Sequence, residues 1–275
     1  MMNESKKLAP RVAASSYLNT APLIWSFLKG SRRGQVDLVT DTAPARCAEM
    51  LARERMQAAL VPVIEYQRIA RLSIVPGVCV GSRSEVKSVV LVTRETVDDL
   101  RRARSVALDT SSRTSAALVK IIFREFFGSE PEWTESAPDV ARMLEKNDAA
   151  LVIGDPGISF SRERVVVYDL AKLWRARTGL GFVFAMWMAR DEEIENVRPV
   201  DFAGARDEGL EHIAEIAALY TDTVGLSIGE IRTYLLDNIS FKLDDELRAG
   251  LDLYFRLAEK HGIISEARAL KFIGV

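Results

Sequence analysis

The sequence predicts an α/β fold made of two lobes with a cleft between them. Three observations predict it: strand and helix patterns alternate through residues 11–155, one helix–strand unit recurs in both halves, and strand patterns stop after Val197. Strands that alternate with helices are typical of a largely parallel sheet covered by helices. With 275 residues, of which 48% are hydrophobic, the chain is long enough to bury a core in each lobe.

The first half opens with a strand over RVAASS (11–16) and a helix over APLIWSFLKG (21–30) that ends at Gly30. There follow a strand QVDLVT (35–40), a helix APARCAEMLARER (43–55), and strands AALVPVIEY (58–66), SIVPGVCVGS (73–82) and VKSVVLVTR (86–94). Apolar runs bounded by turn residues predict the strands, and apolar residues at helical spacing predict the helices.

The alternation then starts again. It predicts a helix VDDLRRA (97–103), a strand SVALDT (105–110), a helix TSAALVKIIFREFFG (114–128), a strand PEWTES (131–136), a helix DVARMLEKN (139–147) and a strand AALVIGD (149–155). The segments EMLARERMQAALVP (49–62) and RMLEKNDAALVIGD (142–155) resemble each other. Both predict a helix, a charged link and a buried strand, which indicates the same structural unit in each half.

Three segments after Val197 have helical periodicity: DEGLEHIAEIAALYTDTVG (207–225), SIGEIRTYLLDNI (227–239) and DDELRAGLDLYFRLAEKHG (244–262). We expect this tail to pack on the first lobe. The chain would cross between lobes near residues 89–95 and return near 181–191. The predicted lobes are residues 1–92 with 190–275, and residues 93–189.

Composition excludes several classes of function. A net charge of −2 gives no reason to expect nucleic acid or an acidic membrane surface as a partner. No apolar run is long enough to span a bilayer, and no signal-peptide pattern precedes the first strand, so we expect a cytoplasmic protein. Cys47 and Cys79 lie in apolar patterns typical of buried free thiols. His212 and His261 belong to the tail, and no metal, nucleotide or triad motif is present, so we expect neither metal nor cofactor.

The segment SYLNTAPL (16–23) is the first candidate site, because polar residues gather where a strand ends. Pro22 suits the first turn of a helix, and Asn19 or Thr20 suits its N-cap. The free N–H groups of a first turn favour an anion, so Ser16, Tyr17 and Asn19 are candidate ligand-binding residues. Ordinary capping explains part of the same pattern.

The second lobe repeats this arrangement in TSSRTSAALV (110–119). The hydroxyls of Ser112, Thr114 and Ser115, with the charge of Arg113, form a second candidate anion site at a helix start. An ordinary N-cap is again the alternative. Two such sites facing one cleft would suit a small molecule with two carboxylates.

The turn VIGDPG supplies a third candidate at a strand end. Gly154 permits close backbone approach, and Asp155 can accept a hydrogen bond from a substrate hydroxyl. Asp-Pro-Gly is equally suited to a plain turn. The aromatic residues of the second crossing are expected to pack in the core and hinge: Trp174, Phe182, Phe184 and Trp187.

Segments over nearly the whole chain resemble one family, the chorismate dehydratases of the futalosine route to menaquinone. They are SYLNTAPL, AALVPVIEY, SRSEVKSVVLV, SSRTSAALV, IGDPG, DLAKLWRARTGLGFVFAMW and DNISFKLD. The resemblance implies a type II periplasmic-binding-protein-like fold and loss of water from chorismate to give 3-[(1-carboxyvinyl)oxy]benzoate. Chorismate is a dicarboxylate, which suits two anion sites.

The resemblance also implies two catalytic residues. Asn19 matches the family's asparagine, and Ser88 is the best match to its serine, with Ser82 and Ser84 as neighbouring alternatives. Leu173 and Gly181 depart from the family pattern, which has an acidic residue and a proline there. The sister dihydroxynaphthoate synthase is less similar. A non-catalytic binding protein for small carboxylates, or an effector domain of a transcription regulator, would use the same fold.

Overall fold

A computed structural model describes residues 8–97 and 99–274. Its strands are β1 (Arg11–Ser15), β2 (Asp37–Asp41), β3 (Ala58–Pro62), β4 (Leu72–Ser82), β5 (Val89–Arg94), β6 (Ser105–Asp109), β7 (Glu132–Ser136), β8 (Ala149–Ile153), β9 (Val165–Asp169) and β10 (Phe182–Arg190). Its helices are α1 (Ala21–Leu28), α2 (Pro44–Ala52), α3 (Glu65–Arg68), α4 (Thr114–Ile121), α5 (Val140–Lys146), α6 (Gly154–Ser159), α7 (Leu170–Thr178), α8 (Ile194–Val197), α9 (Phe202–Glu211), α10 (Ile213–Val224), α11 (Ile228–Thr233) and α12 (Asp245–Lys260). Single 3-10 turns cover Leu18–Thr20, Leu100–Arg102 and Asp191–Glu193, and π-helical turns cover Ile122–Phe127 and Tyr234–Asn238.

The strands form two sheets with the same topology. The first has the order β2-β1-β3-β10-β4, and the second has the order β7-β6-β8-β5-β9. In each sheet one strand runs against its two neighbours, β10 in the first and β5 in the second, while the first three strands are parallel. The predicted α/β fold is therefore confirmed. The reversed strand in each sheet is the one that arrives from the other lobe.

The recurring helix–strand unit has a structural counterpart. The segment 49–62 supplies the last turn of α2 and all of β3, and the segment 142–155 supplies most of α5 and all of β8. Strands β3 and β8 occupy the same third position in the two sheets. The sequence similarity thus marks equivalent positions in two lobes of one topology.

The predicted lobe boundaries at residues 92 and 189 fall inside β5 and β10. All of β5 pairs within the second sheet, and all of β10 pairs within the first, because a strand must complete its hydrogen bonds along its whole length. We therefore propose that the first lobe comprises residues 8–82 and 182–274 and the second lobe residues 89–178. The linking segments are then 83–88 and 179–181.

Two local predictions differ from the structure. The helix predicted over residues 97–103 includes Asp98, which lies outside the described residues, and its later part is the 3-10 turn Leu100–Arg102. The turn predicted at Gly154 and Asp155 is the start of α6. The sequence patterns had assigned no structure to β9, whose apolar residues are half-buried, or to α7.

The helical tail covers the first lobe and also reaches the second. Helix α9 packs on α1, and α12 packs on β10, both in the first lobe. Helix α10 also contacts α6, and α12 contacts α4, both in the second lobe. One continuous hydrophobic core runs through both lobes as a result. Within residues 8–97 and 99–274 no helix has the length and apolar character needed to cross a membrane.

Candidate functional site

A cavity lies between the lobes, at the carboxyl ends of β1, β3 and β8. Its empty space, including the opening to solvent, is about 500 Å³. The sequence analysis named ten candidate site residues, and seven of them line the cavity: Tyr17, Asn19, Ser112, Arg113, Thr114, Ser115 and Gly154. The turns from both lobes therefore meet at one cavity.

The first-lobe turn presents Asn19 without capping helix α1. Thr20 is the N-cap residue, but its hydroxyl makes no cap hydrogen bond. Instead Thr20 Oγ1 donates to the carbonyl oxygens of Ser15 at 2.5 Å and Tyr17 at 2.7 Å. These bonds fold the turn back on itself and hold Asn19, which is half-buried, at the cavity wall.

The second-lobe turn leaves one buried hydroxyl without a partner. Helix α4 begins at Thr114, and its N-cap Arg113 makes no side-chain cap bond. Ser112 is 5% exposed, its Oγ has no hydrogen-bond partner, and it lines the cavity. A buried hydroxyl without a partner costs free energy unless a ligand completes it. Together with the first-turn N–H groups of α4, this hydroxyl makes a site for an anion.

Tyr17 forms the wall between the two turns. Its ring fills the space beside Gly154, where an added Cβ would lie 2.4 Å from the ring, and Gly154 has a φ of 63°. Only glycine meets both conditions. Tyr17 Oη is 3.5 Å from Ser111 Oγ, and Ser111 Oγ donates to the buried Asp109 carboxylate at 2.6 Å. Burial is the main cause that raises the pKa of Tyr17, so its hydroxyl stays neutral.

Arg113 joins the two lobes. Its guanidinium donates to Glu65 at 2.9 Å and to Glu49 at 2.9 Å, and both carboxylates belong to the first lobe. Glu65 is 2% exposed, so this pair is largely shielded from water. Arg113 was predicted to add charge for an anion, and it lines the cavity, but its charge is already balanced by two carboxylates.

Two predicted binding residues lie outside the cavity lining. Ser16 donates its N–H to the Asp41 carbonyl, and its own carbonyl accepts from Tyr220 Oη at 2.8 Å. Its neighbour Ser15 lines the cavity instead, because side chains alternate between the faces of a strand. Asp155 was predicted to accept from a substrate hydroxyl. In the structure Asp155 Oδ1 accepts from the Leu18 N–H at 2.9 Å, and it therefore ties the lobes together.

Asp155 is also electrostatically unusual. Burial raises its pKa to about 6, against the lowering effect of the Leu18 hydrogen bond. Among the described residues the Asp155 carboxylate forms no ion pair, so desolvation dominates its pKa.

Ser88 is fully buried next to the first linking segment, and it does not line the cavity. Its Oγ accepts a hydrogen bond from Tyr234 Oη at 2.7 Å. Neither alternative serine is better placed: Ser82 Oγ accepts from the Ser84 N–H at 3.4 Å, and Ser84 is exposed. A serine in this segment can therefore influence the cavity only through an intermediary.

The comparison with protein families identifies the relationship. A family model described as menaquinone biosynthesis matches residues 10–260. The chain belongs to this family.

One curated relative in the menaquinone biosynthesis family comes from Thermus thermophilus and is named chorismate dehydratase. It is 30% identical over 258 residues, which cover 86% of this chain and 91% of the relative. The resemblance inferred from the motifs is thereby confirmed.

Solved structures confirm the fold. The periplasmic aliphatic sulphonate binding protein of Escherichia coli matches with a TM-score of 0.65 and 19% identity, covering 94% of this chain and 89% of that protein. A Candida albicans protein with the generic periplasmic-binding-protein fold matches with a TM-score of 0.64 and 11% identity, covering 94% of this chain and 92% of that protein. The menaquinone biosynthesis family member described here thus has a two-lobed periplasmic-binding-protein-like fold.

The cavity walls include residues that the sequence patterns missed. Ser15 and Ser111 add hydroxyls, and the remaining wall is apolar, from Leu60, Pro62, Val80, Val89, Ile153 and Phe184. The position of Ser111 directly after β6 was a usable signal. The apolar residues gave no such signal in the sequence, because a cavity wall and a hydrophobic core have the same composition. Trp174, Phe182 and Trp187 pack in the core as predicted, whereas Phe184 also reaches the cavity.

Other candidate groups lie away from the cavity. Cys47 and Cys79 are buried free thiols, and burial raises the pKa of each to about 12, which makes them unreactive. His212 stacks on Trp25, and His261 contacts Glu125. Across the described ranges, 8–97 and 99–274, no cluster of His, Cys, Asp and Glu side chains is arranged to hold a metal ion.

Gly181, where the family pattern has proline, lies in a crowded place. An added Cβ would lie 2.7 Å from Leu247 Cδ2 and 3.0 Å from the Ser82 carbonyl oxygen. The Gly181 carbonyl also accepts a hydrogen bond from Trp174 Nε1 at 3.1 Å. Glycine in place of the family's proline therefore allows α12 to approach the second linking segment closely. Leu173 packs, partly buried, against the core.

Proposed function

We propose that this protein is a chorismate dehydratase, a lyase that removes water from chorismate to give 3-[(1-carboxyvinyl)oxy]benzoate in the futalosine route to menaquinone. The observation that carries the proposal is the unpartnered Ser112 hydroxyl facing the same cavity as Asn19. Family membership and the relative named chorismate dehydratase direct the choice of substrate.

The chemistry of the cavity fits this substrate. Chorismate has one carboxylate on its ring and a second on its enolpyruvyl group, and the cavity has hydroxyls and an amide on apolar walls. In the part of the chain that the structure describes, Arg113 is the one charged side chain in the lining, and no carboxylate lines the cavity. We propose that one substrate carboxylate binds the Ser112–Ser115 turn at the start of α4, where N–H groups favour an anion.

The proposed reaction needs little acid–base machinery. Removal of the hydrogen from the ring carbon that bears the enol ether gives an anion delocalised into the ring carboxylate. The electron pair then expels the neighbouring hydroxyl group, which leaves with a proton as water, and the ring becomes aromatic. We propose that the substrate's own enolpyruvyl carboxylate accepts the ring proton, and that Asn19 orients that carboxylate or the leaving hydroxyl.

Catalysis would then depend on orientation in a closed cleft. Holding reacting groups in the productive geometry can contribute about 7–11 kcal/mol. The ties between the lobes exclude water and hold both turns in place: Arg113 with Glu65, and Asp155 with the Leu18 N–H.

The test is to incubate the pure protein with chorismate and follow products by absorbance and mass. We expect a product lighter by one water molecule. Asn19→Ala should lower kcat roughly 100-fold or more, because a group that acts in the transition state is removed. Ser112→Ala should raise KM about 10-fold, because a hydrogen bond to a charged ligand is lost.

Ser136→Ala is the matched control. Ser136 also ends a strand of the second lobe, and its Oγ donates to the Ala137 carbonyl at 3.1 Å, away from the cavity. Its kinetics should equal those of the parent protein. Binding of chorismate without turnover would instead indicate a non-catalytic binding protein, and full activity of Asn19→Ala would reject the assigned role.

A further inference from the structure

Tyr234 lies between the two residues to which the family resemblance assigns catalysis. It begins the π-helical turn Tyr234–Asn238 that follows α11, and it is 2% exposed. Its hydroxyl donates to Ser88 Oγ at 2.7 Å. Burial raises the pKa of this hydroxyl, and hydrogen bonding to Ser88 and to the Asn19 carboxamide lowers it, which places Asn19 beside the same phenol oxygen. A single phenol oxygen therefore connects the linking segment 83–88 to the cavity.

Ser88 itself does not line the cavity. It is fully buried, and its own hydroxyl is directed to the Val86 carbonyl, 3.4 Å away, within its own segment. We propose that Tyr234 is a positioning residue that holds the Asn19 carboxamide in its working orientation, with Ser88 acting on Asn19 through Tyr234. This inference rests on the proposed dehydratase function.

The numbers of hydrogen-bond donors and acceptors support contacts that run from Ser88 to Tyr234 and from Tyr234 to Asn19. A neutral phenol has one proton to donate, and Tyr234 donates it to Ser88. Burial is the main cause that raises the pKa of Tyr234, so the phenol remains neutral. The Asn19 amide must then donate to the phenol oxygen, which leaves its carbonyl oxygen and second N–H for a ligand.

The surroundings hold Tyr234 in place. Asn238, at the end of the same π-helical turn, donates through Nδ2 to the Glu85 carbonyl at 3.1 Å. Asp169 Oδ2 accepts from the N–H groups of Val86 at 3.0 Å and Lys87 at 2.6 Å. The linking segment is thus fixed at the three residues that precede Ser88. Single π-helical turns within helices are frequent at functional sites.

The test is a double-mutant cycle with Tyr234→Phe, Ser88→Ala and the double variant, measured as kcat and KM for loss of water from chorismate. Each single variant should lower kcat roughly 10- to 100-fold, the usual effect of removing a group that orients an active residue, with KM changed less than about threefold. The double variant should lose no more than Tyr234→Phe alone, because both changes break one chain of contacts.

Tyr66→Phe is the control for a purely structural effect. Tyr66 is also buried, and its hydroxyl donates to the Ala269 carbonyl at 2.7 Å, outside the cavity. Its midpoint of unfolding should fall about as much as that of Tyr234→Phe, while its kcat stays at the parent value.

The outcomes separate the two proposals. If the parent protein does not remove water from chorismate, both the proposed function and this inference fail. If the parent protein is active and Tyr234→Phe is equally active, only the positioning role fails. Losses that add fully in the double variant would show that Ser88 and Tyr234 act independently, which also overturns the inference.

Discussion

Ser112 and Asp155 are buried polar residues whose hydrogen bonding is incomplete in different ways. The Ser112 hydroxyl lacks a partner, so it is available to a ligand. The Asp155 carboxylate has one backbone donor, the Leu18 N–H, and remains poorly solvated, which raises its pKa to about 6. Ligand binding would offset the free-energy cost of burying the Ser112 hydroxyl without a partner. The free-energy cost of burying the Asp155 carboxylate depends instead on pH.

We predict that Asp155→Asn raises the free energy of unfolding at pH 7.5. The folded protein holds the Asp155 proton up to its raised pKa of about 6, whereas an unfolded chain releases it near the ordinary pKa of 3.8. Between those values the folded protein binds more protons, so its stability falls as the pH rises. Asparagine keeps an acceptor for Leu18 and removes the charge, so the gain should be about 1–3 kcal/mol.

Urea unfolding at pH 5 and pH 7.5 measures this effect. The difference between Asp155→Asn and the parent protein should shrink at the lower pH. Asp237→Asn controls for the loss of one negative charge, because Asp237 is exposed. A gain that does not change with pH would contradict the desolvation argument.

At the scale of elements, close packing of α9 against α1 supports the first-lobe turn. An added Cβ at Gly209 in α9 would lie 1.9 Å from the Pro22 carbonyl oxygen, in the first turn of α1. The contact is with backbone, which cannot move aside as a flexible side chain can. Glycine at this position therefore sets the distance between the two helices, and with it the position of the turn that carries Asn19.

We predict that Gly209→Ala lowers the free energy of unfolding by about 1–3 kcal/mol, the usual cost of overpacking. The clash outweighs the better helix propensity of alanine. Thermal unfolding of the variant measures the loss.

Gly229→Ala is the control for that change. Gly229 is also helical, in α11, and an added Cβ there would lie 4.0 Å from its nearest neighbour, Ser227 Oγ. Alanine should leave stability unchanged or raise it by up to about 1 kcal/mol. Equal effects at Gly209 and Gly229 would contradict the role of close backbone contact.

At the scale of the whole molecule, the two lobes are held closed by contacts that cross the cleft. Arg113 pairs with Glu65 and Glu49, Leu18 N–H donates to Asp155, and Ile64 N–H donates to Thr114 Oγ1 at 3.3 Å. Two short linking segments allow the lobes to separate. A ligand that binds both turns must therefore enter while the lobes are apart.

We predict that the proposed product, 3-[(1-carboxyvinyl)oxy]benzoate, compacts the protein in solution. A compact chain of 275 residues has a radius of gyration of about 19 Å. Small-angle scattering should give that value with saturating product and a larger value without it. Identical profiles in both conditions would show that the lobes do not open, and the proposed route of entry would then fail.

Much of this protein was predictable from local patterns. The alternation of strands and helices, the repeated unit before β3 and β8, the helical tail and the two polar turns follow from short-range periodicity and helix-start chemistry. The motif that contains Asn19 is equally local. These features concern residues near each other in the chain, so the sequence by itself determined them.

The tertiary structure alone decided how distant residues meet. In the folded protein Ser15 lines the cavity and Ser16 does not. The Asp155 carboxylate accepts a hydrogen bond that joins the two lobes. The Tyr234 hydroxyl lies between Ser88 and Asn19. Residues 19, 88 and 234 are far apart in the chain, and no periodicity records which of them touch. Their contacts arise from the packing of the tail over both lobes, which is a property of the folded molecule as a whole.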